Sequence, residues 1–222
     1  PDGRVLYPSA CLDQLERAAM RQSLAAAFFG LTCLAFPVAA QDLPALFHVV
    51  DVSENDVLNI RSTASAKSQI IGFFDPAEDQ IEVITQDETG NWGLVNVGET
   101  SGWVSMRFLT ASQPNDHGPS CFGTEPFWSA HALSQYQGRT LTFSLLGGPK
   151  ETVPLIERRS RNNQMRESGS FTGQSLSGHY VISRQVCSDG MSDRVFGLTA
   201  DFLINQNGEW TQYSGCCSLS SN

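Results

Sequence analysis

In the segment Ile81-Glu82-Val83-Ile84-Thr85-Gln86-Asp87-Glu88-Thr89-Gly90-Asn91-Trp92-Gly93-Leu94-Val95-Asn96-Val97-Gly98-Glu99-Thr100-Ser101-Gly102-Trp103-Val104-Ser105, short apolar runs are separated by two clusters of polar residues and glycine. A period of two broken by Gly-containing clusters is the pattern of consecutive short strands joined by tight turns. Upstream, residues 46–52, 57–60 and 70–74 add further strand-like runs. Five or so strands in about sixty residues predict a small barrel over residues 44–111, and a barrel of that size fills with its own side chains. Binding is then left to its loops and outer grooves.

Downstream, residues 112–120 are rich in turn formers and carry no apolar run, so they read as a linker. Residues 121–222 continue the strand pattern: Trp128, Ala130 and Ala132 alternate with polar neighbours, and Leu141, Phe143 and Leu145 share one face. Further strands are expected at 152–156, 178–186, 195–204 and 209–213, with Asn207-Gly208 as a hairpin turn. No long helical period appears after residue 41, so the expected class is all-β, with the second module a meandering barrel or sandwich.

The chain's beginning points to export. Met20-Arg21-Gln22 gives a positive start, residues 23–36 are almost wholly apolar, and Pro37-Val38-Ala39-Ala40 supplies small residues before Gln41. That is the order of a secretory signal peptide over 20–40, with cleavage after Ala40 and a periplasmic or secreted product. A membrane anchor is the rival, but Gly30, Thr32 and Pro37 interrupt the run. A lipid anchor on Cys33 is the other, and Leu31-Thr32 lacks the small residue expected before such a cysteine. Residues 1–19 read as an extension upstream of the true start. The mature chain then has no stable membrane span and keeps Cys121, Cys187, Cys216 and Cys217, which in an oxidising compartment read as two disulfides. A vicinal Cys216–Cys217 bond is strained, so Cys121 and Cys187 each take one member of the pair, in either order.

The formal charge is −9, which disfavours nucleic acid as a partner. Residues 41–112 hold eleven acids against three bases, whereas 113–222 hold nine against eight. A ligand of the first module is therefore expected to be neutral or cationic. Arg158, Arg159, Arg161 and Arg166 crowd a polar stretch that reads as a solvated loop.

The elements Leu58-Asn59-Ile60-Arg61-Ser62, Ile70-Ile71-Gly72, Ile81-Glu82-Val83, Gly90-Asn91-Trp92, Gly102-Trp103-Val104-Ser105 and Phe108-Leu109 resemble, in order and spacing, the bacterial SH3 domain family. The resemblance implies an SH3-type barrel that recognises a cell-wall peptide or an envelope protein through a groove beside a long loop. The candidate ligand-binding residues are Trp92, Trp103, Asn59 and Arg61. An indole offers a large apolar surface and one donor. Trp103 is favoured as core, while Trp92 suits either role. Gly-Thr-Glu-Pro-Phe-Trp at 123–128, Cys-Ser-Asp-Gly-Met-Ser-Asp at 187–193 and Gly-Cys-Cys at 215–217 resemble a family of bacterial exported domains that brings no activity with it.

In the second module Glu125, Trp128, Asp189 and Asp193 form the candidate face. Asp189 and Asp193 lie four apart in a turn open to calcium, but the fuller oxygen-ligand loop is absent, so a structural turn and no metal is expected. The histidines at 48, 117, 131 and 179 have no ligand spacing. No nucleophile elbow, zinc helix or phosphate loop is present, and the chain is expected to be non-enzymatic and free of cofactors. The leading expectation is an exported envelope-binding protein. One alternative is an inhibitor of a secreted or periplasmic hydrolase acting through the C-terminal domain, and another is a wall hydrolase using Glu125 and Asp189.

Overall fold

Sixteen strands and one 3-10 turn (Met106–Phe108) make up the secondary structure of the described residues in the computed structural model, which are 42–112, 117–135, 138–159 and 166–220. The expected signal peptide, upstream extension and Cys33 lie outside them. Among them no helix is long and apolar enough to cross a membrane.

The first module has two sheets. In one, β1 (Ala45–Val49) lies between β4 (Ile81–Val83) and β8 (Leu109–Ala111). The other has the order β3 (Ile70–Phe74), β2 (Leu58–Arg61), β7 (Thr100–Ser105), β6 (Trp92–Val97) and β5 (Thr85–Gln86). The two-residue period does the sorting: Ile60, Val83, Val95 and Val104 are almost wholly buried, and Phe47, Leu58, Ile81 and Leu109 close around them.

The second module is a closed barrel of eight antiparallel strands. In chain order they are β9 (His117–Thr124), β10 (Phe127–Gln135), β11 (Gly138–Leu145), β12 (Glu151–Arg159), β13 (Arg166–Thr172), β14 (Leu176–Cys187), β15 (Phe196–Gln206) and β16 (Glu209–Ser218). Each pairs with the next, and β16 returns to β9 through Cys216↔Phe122, Cys217↔Cys121 and Ser218↔Ser120. Strand β9 already begins inside the stretch read as a linker. Arg158 and Arg159 end β12 and Arg166 begins β13, so these three are strand residues and not loop residues; Arg161 lies outside the described residues. Asn207 and Gly208 both have positive φ (55° and 91°), as a two-residue hairpin turn between twisted strands requires.

Alternation drives one face of β14 and of β15 inward. Leu176, Tyr180 and Ile182 of β14 and Leu198, Ala200, Phe202 and Ile204 of β15 are buried. Trp128 sits at the centre, against Phe143 (6.1 Å), Phe202 (5.3 Å) and Tyr213 (6.2 Å between ring centroids). Eight strands enclose a space that side chains fill. A void of about 10 Å³ bordered by Ala130, Tyr180 and Phe202 has room for about one water. Two disulfides, Cys121–Cys217 and Cys187–Cys216, hold the ring.

The two modules belong to one compact unit, Gln41–Asn222. The Asn96 amide donates to the Val195 carbonyl (2.9 Å), and the Val195 N–H donates to Ser101 Oγ (2.9 Å). Asp193 N–H donates to the Glu99 carbonyl (3.0 Å). Arg184 reaches the carbonyls of Asp42 (2.6 Å) and Pro44 (3.2 Å). On β4, Glu82 is only 8% exposed, and its carboxylate accepts the Ser218 hydroxyl and the Leu219 N–H (3.1 Å). Burial pushes the Glu82 carboxyl up, against the pull of the Ser218, Leu219 and Ser220 donors and of Arg194.

Candidate functional site

The first module carries a groove of about 340 Å³ between strand β2, the start of β6 and the 51–57 loop. Such a volume suits a short peptide segment or small molecule. Trp92, Phe108, Leu58 and Val57 supply apolar and aromatic surface, while Asn59, Arg61, Asp51 and Asp56 supply polar groups. Asn59 and Arg61 share a face because they lie two apart on β2. Arg61 Nη1 donates to the Ser68 carbonyl (2.8 Å), which fixes the guanidinium beside the 62–69 loop.

Trp92 is positioned by its own turn. Asp87 Oδ1 accepts the Trp92 N–H (2.9 Å), Asp87 N–H donates to the Trp92 carbonyl (3.0 Å), and Thr89 Oγ1 donates to Asp87 Oδ2 (2.6 Å). The Thr89 hydroxyl first, with the backbone donors of the turn, holds the Asp87 carboxyl below its ordinary range against a smaller opposing desolvation. Gly90, with φ of 71°, lets the turn close.

Of the sequence candidates, the groove gathers Trp92, Asn59 and Arg61. Trp103 is not among its lining residues; it is half-buried on β7, paired with Leu94 and Arg61. Sequence reasoning missed Asp51, Asp56 and Phe108 in this role. Asp51 adopts a left-handed φ of 57°, a conformation that Asp tolerates, at the start of the 51–57 loop that borders the groove.

At one end of the barrel is a second cleft of about 590 Å³, where the three quoted motifs of the second module meet. Glu125 and Phe127 come from the first, Asp189 and Met191 from the second, Gly215 and Cys216 from the third. Thr124 Oγ1 ties the first to the second by donating to the Asp189 carbonyl (3.1 Å). The four residues read as one face are thereby separated. Glu125 and Asp189 border the cleft, Trp128 points into the barrel core at 4% exposure, and Asp193 belongs to the contact with the first module. Trp128 turns inward because Gly123 and Gly215 leave it room: a Cβ on Gly123 would come within 2.1 Å of its Nε1, and one on Gly215 within 3.0 Å of Cζ2.

The Asp189 carboxylate is engaged by its own loop. It accepts the N–H groups of Met191 (3.0 Å) and Ser192 (2.9 Å) and the Ser192 hydroxyl (2.9 Å). Desolvation pushes the carboxyl up, but these donors and Arg194 together bring it below its ordinary range. Among the described residues no group of three or more His, Cys, Asp or Glu is placed to hold a metal ion. His131 Nδ1 meets Ser120 Oγ at 3.0 Å, and desolvation, with Lys150 nearby, lowers its affinity for a proton.

Residues 56–110 match the family model described as bacterial SH3 domain. The match ends before the barrel, so the resemblance of its three motifs to exported domains has no support from it. No curated protein and no solved structure matches the chain.

Proposed function

With a bacterial SH3 domain over residues 56–110 as the starting point, we propose that the protein is a non-catalytic envelope-binding protein whose groove takes a neutral or cationic segment of a cell-wall peptide or an envelope protein. A bacterial SH3 domain is a binding module; the groove supplies the finer reading. The observation that carries it is the convergence of Trp92 and Phe108 with Asn59, Arg61 and two acids in one concavity. Aromatic surfaces contribute apolar contact at low entropic cost, and Asp51 and Asp56 favour a ligand ammonium. Two disulfides support a location outside the cytoplasm, where thiols oxidise and wall material is met.

Co-sedimentation with purified peptidoglycan sacculi, alongside a pull-down from an envelope extract, tests the proposal. Wild type is expected to be retained by one of the two, and Trp92→Ala to weaken retention by about tenfold or more. Retention by neither, or equal retention of the variant, refutes it.

The cleft at the barrel end favours a second reading. Phe127 (45% exposed) and Met191 (69%) project beside it from a rigid disulfide-held scaffold, as suits a protein that blocks a secreted hydrolase. Lysozyme-type activity assayed with and without the protein decides this reading, and unchanged rates remove it. A wall-hydrolase role gains less, because the Asp189 oxygens are already engaged within its loop.

A further inference from the structure

The two disulfides differ in how they meet solvent. Cys121 and Cys217 are 1% and 0% exposed, and both face the barrel core. Cys187 is partly exposed, whereas its partner Cys216 is itself buried at 2% exposure, beneath the cleft that it borders together with Ser188, so the difference in access lies at Cys187. A register shift between Arg184 and Cys187 leaves Val186 67% exposed, so the approach to Cys187 along β14 is uncovered. Thiol–disulfide exchange requires a thiolate to reach one sulfur in line with the bond, so access separates two disulfides in one protein.

Their places in the chain differ as well. Cys187 opens the segment 188–195, whose Asp193 and Val195 hydrogen-bond to Glu99, Ser101 and Asn96 of the first module. The bond to Cys216 therefore pins one end of the segment that docks the two modules; at the other end it runs directly into β15.

We infer that Cys187–Cys216 is a thiol-exchange site for a dithiol, small or protein-borne, and that its reduction loosens the 188–195 segment from the SH3 module while Cys121–Cys217 stays closed. One thiolate of the dithiol attacks Cys187 Sγ, forms a mixed disulfide and expels Cys216 as thiolate. The second thiol of the reagent then displaces Cys187. Two electrons and two protons pass from the dithiol, which becomes a disulfide, to the protein, which gains two thiols.

The test treats the oxidised full chain with graded dithiothreitol, quenches with iodoacetamide and maps the alkylated cysteines. Cys187 and Cys216 are expected to label about tenfold or more faster than Cys121 and Cys217, with the far-ultraviolet circular dichroism unchanged. Simultaneous labelling of all four, earlier labelling of Cys121 and Cys217, or no labelling before the dichroism collapses overturns the inference. Hydrogen exchange then reads the coupling in the half-reduced, alkylated protein and in the Cys187→Ser/Cys216→Ser variant. The amides of Asp193 and Val195 are expected to exchange about tenfold faster than in the oxidised protein. Unchanged exchange at both in the half-reduced protein overturns the coupling, whether or not the variant folds.

Discussion

Trp92 owes its place to a carboxylate five residues earlier. Asp87 caps the turn before β6 and accepts the Trp92 N–H, so Asp87→Ala leaves that donor without its partner and lets the indole drift from the groove. Retention on whichever ligand binds is expected to fall, with Trp92 fluorescence shifted toward that of an exposed indole. Asp87 titrates below its unfolded value, so its contribution is present above pH 3.8 and is lost as pH falls through the folded value. An acid titration of wild type should show a step there that Asp87→Asn lacks. Trp128 is a different case. Its alternation with Ala130 was legible, but the motif around it suggested a surface, and only the opposing Gly123 and Gly215 explain why so large a ring turns inward. Gly123→Ala is expected to cost about 1–3 kcal/mol through overpacking, measured by chemical denaturation. Trp128→Ala, which opens a cavity among Phe143, Phe202 and Tyr213, is expected to cost about 3–5 kcal/mol.

Strands with a clean two-residue period were the most legible elements, because burial of one face fixes both their type and their register. Residues 92–97 and 195–204 fall almost where β6 and β15 run. Where charge or turn formers dominate composition, the reading fails: β9 starts within a Pro- and Gly-containing stretch, and β12 and β13 extend into arginine-rich sequence. In each, pairing with a neighbour overrides local preference. The three register pairs of β9 and β16 are braced by Cys121–Cys217, directly opposite one another with a sequence separation of 96. Replacing both by Ser is expected to remove about 4–5 kcal/mol of stability on a chain-entropy account, read from the urea midpoint. A loss below about 1 kcal/mol would show that the seam holds without its covalent tie.

For the molecule as a whole, the consequential residue is Glu82, which the alternation of Ile81-Glu82-Val83 marks as a solvent-facing position. It is buried because the other module covers it, a fact that no local pattern in the sequence contains. Its folded carboxyl titrates above the ordinary value of 4.5, so the stability linked to its proton is fully present below pH 4.5 and is lost as pH rises through the folded value. Thermal unfolding followed across that window should show wild type weakening while Glu82→Gln, neutral throughout and still able to meet Ser218 and Leu219, stays flat. If the two traces run parallel, Glu82 does not titrate at the contact. Because the modules share this contact and those of Asn96 and Ser101, their unfolding is expected as one calorimetric transition rather than two.

The ring of the second module is joined by its first and last strands, so its wall has a gap until the sequence through Ser218 is available. A chain emerging in order therefore carries seven strands with two raw edges and a half-wrapped aromatic interior, a state prone to sticking to its own kind. Assembly of this domain must wait for the ten residues of β16, and any nick or early stop that removes them costs the entire ring.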